Sequence, residues 1–450
     1  MSPIDLKADD PLTITLWDFS WFVRTGPGEP FEDLDRAFRQ AAERGYNTIR
    51  ICAMPFLLFG SGLDTSELEL GPLGGRYAQR VRWYDVGATT VIDGRALLLD
   101  LLRGAARHRF RVIVSSWEYQ QSPAFATDRA WSDALLAVDP EHRAERLADS
   151  LADLVDFARA NGVADTIAFV ELHNEVQFGH LTDGLGDDLS PDQRVVGLKP
   201  RLQRGIDQFK QRHPDVPVTV NYAGVPVGAF RGVPDGIDVF VVHPYVYGVL
   251  NAFTDEFGLR RPVGEFPQDA AAEAFLIPGA PPVAQWQQSQ IAPWKSIATI
   301  IQQSEIYAHD WGDADKIDRW LYEHYGEYRV AMADKLTLWL DAAADLAAQR
   351  GIPLVFGEGW VGYTPLEGSF EEGPVGAEFC RLAAREAARV GAWGSIVCSN
   401  AAPQHPMWAD IELQLECNAL FTQSSTATLT STVESTPPKS APVQVPERTS

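Results

Sequence analysis

Short apolar, β-branched runs alternate along the chain with segments whose apolar residues recur every three or four positions. Leu12 to Trp17, Thr48 to Cys52, Phe110 to Ser115, Thr166 to Leu172, Val216 to Val220, Ile237 to Val242, Pro353 to Phe356 and Trp393 to Cys398 read as strands. Phe31 to Arg44, Ala96 to Arg107, Ala144 to Ala160, Gln193 to Arg212, Lys316 to Gln349 and Ala377 to Val390 read as helices between them. In the first helix Leu34, Phe38, Ala41 and Ala42 share a face, and Gly45 follows as a stop. Strands that are apolar throughout are what a parallel sheet covered by helices requires. Eight such units predict a single (β/α)8 TIM barrel spanning residues 1–422. An open doubly wound sheet would place a glycine-rich turn after its first strand. Here that strand runs into Trp17-Asp18-Phe19-Ser20-Trp21-Phe22.

Two stretches depart from the regular unit. Residues 247–315 are expected to form a loop-rich insertion near the mouth, between the sixth and seventh strands. The segment from Tyr247 to Ser304 is rich in Pro, Gly and aromatic residues, and long excursions of this kind are more often functional than filler. Residues 423–450 hold 16 Ser, Thr or Pro among 28 and are expected to be a disordered tail.

Composition narrows the partners. The 450 residues carry 61 acids against 38 bases, a formal net charge of −23. That argues against nucleic acid or an anionic membrane, both of which need clustered Lys and Arg. The cysteines Cys52, Cys380, Cys398 and Cys417 form no Cys-x-x-Cys pair, so no cysteine zinc site is expected. The N-terminal residues lack a basic stretch followed by an apolar one, and no apolar run reaches the length of a membrane span. The expectation is a cytoplasmic protein.

In such a barrel the chemistry stands at the C-terminal ends of the strands. The fourth strand ends in Glu171-Leu172-His173-Asn174-Glu175 and the seventh in Gly357-Glu358. Glu175 and Glu358 would face each other across the mouth. Glycoside hydrolysis needs such a pair, one carboxyl protonated to release the leaving oxygen and the other charged to attack. Asn174 is placed to bond a sugar hydroxyl. Arg50, on the second strand, is placed to orient the nucleophile through a bidentate bond. No metal or cofactor is called for. Ser115 and Ser116 with His243 lack the Gly-x-Ser-x-Gly turn of a serine hydrolase.

These motifs resemble those of the retaining (β/α)8 glycoside hydrolases that include the cellulases and mannanases of family 5. The resemblance rests on Glu171-Leu172-His173-Asn174-Glu175, His243-Pro244-Tyr245, Gly357-Glu358 and Arg50, in the family's order. It implies Glu175 as acid/base, Glu358 as nucleophile, and Arg50, Asn174, His243 and Tyr245 around them. The sequence departs from the family at three points: Val176 stands where Pro is usual, Ser115-Ser116-Trp117 where a His is usual, and Ser399-Asn400 where a stacking Trp is usual. The chain therefore looks like a divergent cellulase-like relative.

Trp17, Trp117, Trp360 and Trp408 lie at or just after strand ends and are candidate sugar platforms. Glu171 is expected as a structural partner of Arg50 or His243. Glu118 is either a sugar-binding acid or a solvated loop residue. The reading is hydrolysis of a small β-linked carbohydrate with retention. The alternatives are a non-hydrolytic sugar-binding barrel and a transglycosylase.

Overall fold

The computed structural model describes residues 11–73, 89–186, 188–361, 369–399 and 401–431. Eight parallel strands form the centre: β1 Leu12–Asp18, β2 Thr48–Cys52, β3 Arg111–Ser115, β4 Ile167–Glu171, β5 Val218–Thr219 continued by Asn221–Ala223, β6 Phe240–His243, β7 Leu354–Phe356 and β8 Gly394–Ile396. The first piece of β5 pairs with β4 and the second with β6. β8 pairs with both β7 and β1. The sheet therefore closes on itself, which is the barrel the apolar runs predicted. β5 runs past its predicted end at Val220. β6 begins three residues later than predicted, because Asp238 leaves the strand and caps the Val218 N–H and Lys210.

Helices α1 Leu34–Glu43, α2 Gly94–His108, α3 Arg143–Ala160 and α4 Pro191–Arg212 wrap the first half. Asp33 caps α1, and Ser190 with Gln193 forms a capping box at α4, with Pro191 at its first position. α6 Pro374–Arg389 and α7 Ile411–Ser431 cover the last strands. α7 reaches into the segment expected to be disordered; residues 432–450 lie outside the described part.

Residues 247–315 are not loop-rich. They form short helices at Val249–Glu256, Gln268–Ala274, Val283–Gln290, Pro293–Ile297 and Gln303–Trp311, followed by the single long helix α5 Ala314–Arg350. Phe253 and Phe257 pack edge-on against Trp320 of α5, and Phe275 packs edge-on against both phenylalanines, so the insertion has its own small aromatic core. The proline and glycine boundaries that suggested loops are the breaks between these helices. No described helix is long and apolar enough to cross a membrane.

Inside the barrel, Ile14, Ile113, Phe169, Val241 and Val355 form an apolar plug. Two residues further along β4 and β6 the same inward face carries Glu171 and His243. The barrel is thus sealed below and polar at its upper end.

Candidate active site

Arg50 is the centre of the polar layer. It is fully buried, and its guanidinium donates to Glu171 Oε2 from Nε at 3.0 Å and from Nη2 at 2.7 Å. Nη2 also donates to Asn174 Oδ1 and Nη1 to Glu358 Oε1, each at 2.7 Å. Burial works against the charge of Arg50, but Glu171 and Glu358 outweigh it and raise its pKa. Glu171 also accepts from Asn221 Nδ2 at 2.9 Å. Arg50 thus joins β2, β4 and β7 with charge-assisted bonds, and Glu171 is the structural partner expected of it.

Glu358 receives a second donor, the Tyr245 hydroxyl, at 3.1 Å on Oε2. Glu175 sits differently. Its backbone has φ of 40°, in the left-handed region that costs a non-glycine residue about 1–2 kcal/mol. Two short bonds hold this turn: Glu175 N–H to Asn221 Oδ1 at 2.6 Å and Asn174 N–H to Ser116 O at 2.7 Å. Among the described residues its carboxylate meets only Gln120 Nε2, at 3.4 Å, and His243 Nδ1, at 3.1 Å. Burial pushes Glu175 up to about 7, while Arg50 and the Gln120 bond pull the other way.

His243 lies between the two acids, with Nδ1 3.1 Å from Glu175 and 3.6 Å from Glu358. Burial pulls it down to about 4 against the attraction of Glu358, so it is neutral at pH 7. Oxygens of Glu175 and Glu358 and a nitrogen of His243 all lie within 4.8 Å of one another. Such a trio has the donor types of a cation site. Here the Arg50 guanidinium already supplies positive charge to Glu358.

Of the four tryptophans, the structure brings only Trp117 to the cavity, where its ring covers Arg50 at 4.6 Å. The other three, expected at the cavity, pack elsewhere. Trp17 alternates outward from Leu16 and Asp18 and packs on Phe31 and Phe38. Trp360 packs on Phe356 and donates to Val397 O. Trp408 stacks on Tyr46 beneath the Arg44 guanidinium. Glu118 is neither solvated nor at the cavity: it accepts from Phe56 N–H, Leu57 N–H, Ser116 Oγ and Trp131 Nε1 and so ties down the turn after β2. His173 is likewise structural, accepting Tyr119 N–H on Nε2.

The cavity holds about 660 Å³. Asn174, Glu175, Tyr245 and Glu358 line its floor; Arg50 and His243, expected among the substrate-binding residues, are fully buried and do not line it. Sequence reasoning missed Asp18, Phe19 and Gln120 on its wall and Tyr247, Arg260, Lys335 and Trp339 above. Asp18 was legible by alternation, since it shares parity with the inward-facing Ile14 and ends its strand. Lys335 and Trp339 were not, because nothing in a long helix says which part of it overhangs a barrel.

Residues 14–124 match the family model described as sugar-binding cellulase-like. The chain resembles a divergent cellulase-like glycosidase. Among curated proteins no sequence matches. Among solved structures the chain is similar to a putative glycoside hydrolase from Parabacteroides distasonis, 21% identical, with a TM-score of 0.66 over 92% of this chain and 94% of that one. That likeness is one of fold. Fainter similarities, at TM-scores of 0.47 and 0.44, are to an endo-β-1,4-mannanase from Thermotoga petrophila and a family 5 mannosidase from Rhizomucor miehei. The first is 12% identical and covers 93% of this chain and 78% of that one; the second is 11% identical and covers 93% and 95%.

Proposed function

We propose that the protein hydrolyses a small β-linked glycoside with retention, with Glu175 as acid/base and Glu358 as nucleophile. The observation that carries this reading is the unequal environment of two neighbouring carboxyls. Glu175 has few donors and is held up to about 7, which suits a group that must give a proton near neutrality. Glu358 faces the Arg50 guanidinium and the Tyr245 hydroxyl, donors that orient an attacking carboxylate. Their approach within 4.8 Å fits the close pair of a double displacement and leaves little room for the water that inversion places between the carboxyls.

In the first step Glu358 attacks the anomeric carbon while Glu175 gives its proton to the departing oxygen. In the second, Glu175 takes a proton from water, which displaces Glu358 and restores both groups. The helical insertion over the mouth supports a short substrate rather than a polymer threaded through an open groove.

Glu358→Ala is expected to lower turnover of the best substrate in a panel of aryl β-glycosides by about 10⁴-fold. Azide should partly restore it, forming a glycosyl azide of inverted configuration. Unchanged turnover in that variant would remove the assignment. The description of the matching family as sugar-binding favours a second reading, a barrel that binds without hydrolysis. Tight sugar binding by wild-type protein, with no turnover across the panel, would select it.

A further inference from the structure

Asp18 is the last residue of β1, with φ of 44°. The pairing of β1 with β2 is bulged there: Leu16 stands opposite Arg50, but Asp18 stands opposite Ile51. Regular pairing would place Asp18 opposite Cys52. The bulge therefore draws its carboxyl one residue back towards the level of Arg50 and Glu358. The side chain lines the cavity although the residue is only 1% exposed.

Its two oxygens are treated differently. Oδ1 accepts the Ser20 N–H at 2.6 Å. Oδ2 is buried and has no hydrogen-bond partner among the described residues. A buried carboxyl oxygen left unpaired is costly, and proteins seldom keep one without a use. The wall beside it is apolar, formed by Leu16, Phe19 and Trp117. A pyranose ring presents alternating C–H and O–H groups, so its C–H face can pack on such a wall while one hydroxyl meets the free oxygen.

We propose that Asp18 is a specificity residue of the glycone site, its Oδ2 hydrogen-bonding one ring hydroxyl of the sugar held next to Glu358. Burial raises its pKa well above the usual carboxylate range against the Ser20 bonds, and the nearby Glu358 charge adds to the rise. Oδ2 can accept the hydroxyl proton or, when protonated, donate its own. This rests on the cavity being a sugar site, but not on hydrolysis there.

The test is calorimetric titration of Glu358→Gln protein, with and without Asp18→Ala. The probes are methyl β-D-gluco-, manno-, galacto- and xylopyranosides and their monodeoxy analogues. In the parent, removing one particular hydroxyl should weaken binding about tenfold, the scale of a lost hydrogen bond. In the Asp18→Ala protein that penalty should vanish while the penalties at other positions remain. A merely structural Asp18 would weaken all ligands alike. Identical deoxy penalties in both proteins overturn the proposal, as does a parent that binds none of the probes. If the Ala variant does not fold, Asp18→Ser, which keeps an acceptor for Ser20 but withdraws from the cavity, carries the same expectation. Turnover of aryl glycosides by wild-type protein, measured alongside, tests hydrolysis separately.

Discussion

The floor and the roof of the cavity are built by different rules. On the floor, Arg50 makes four bonds of 2.7–3.0 Å to Glu171, Asn174 and Glu358, which come from two other strands. On the roof, Arg260 reaches Glu305 at 3.4 Å and lies over Tyr247 at 5.3 Å, while Lys335 lies over Trp339 at 4.2 Å. Arg50, Glu171 and Glu358 of the floor are buried, and each is held by more than one bond. The roof is partly exposed, its charges sit on long side chains, and its elements belong to an insertion with its own core. Bonds to charged groups in a dry site are strong, and losing one partner strands the other; exposed pairs are worth little. On the proposed reading the reacting groups are held rigidly, whereas the rest of the substrate would meet adjustable groups.

The comparison breaks most readily at Arg50. Arg50→Met would leave Glu171 and Glu358 buried without a cation, with an expected loss of about 3–5 kcal/mol of stability and of roughly 10³-fold or more in kcat/KM. Chemical denaturation and an aryl glycoside assay read the two. Arg50→Lys should recover little, because an ammonium cannot reproduce the fork. A variant as stable as wild type would show that the floor is not held as described.

The second test is pH. In the proposed first step Glu175 must carry its proton, and with its pKa raised to about 7 it keeps that proton through mildly acidic pH. The kcat/KM should hold up to about pH 7 and then fall about tenfold per unit. Glu175→Gln should remove this limb with an activated substrate that needs no acid. A limb between pH 4 and 5 would mean that the floor is wetter than its burial indicates.

The smallest effect belongs to the roof. Trp339→Ala should raise KM by roughly fivefold with kcat unchanged, because its ring would bind substrate and transition state alike. Gly224 approaches this ring so closely that a Cβ there would lie 3.1 Å from it, so Gly224→Ala should disturb the same contact. A fall in kcat would move Trp339 into the chemistry and sharpen the division differently.

Much of the floor was legible in the chain. Strand periodicity placed Arg50, Glu171, His243 and Glu358 at strand ends, and parallel strands put those ends on one side. The tryptophans were less legible. Trp17, Trp360 and Trp408 sit at the right height along the chain but pack away from the cavity, and position along a strand says nothing about which side a ring takes. The insertion was misjudged because Pro and Gly mark helix boundaries as well as loops.

By itself the sequence determined the eightfold strand pattern and the identity of the ionisable groups at the strand ends. Both follow from local period and residue type, which need no long-range contact. Only the tertiary structure raised the pKa of Glu175. Arg50 stands 121 residues before Glu171 and 308 before Glu358, and it meets both only when the sheet closes. A pKa depends on the water excluded and the charges brought near. Both are properties of the closed barrel, so Glu175 and Glu358 come to stand in different surroundings only once it has formed.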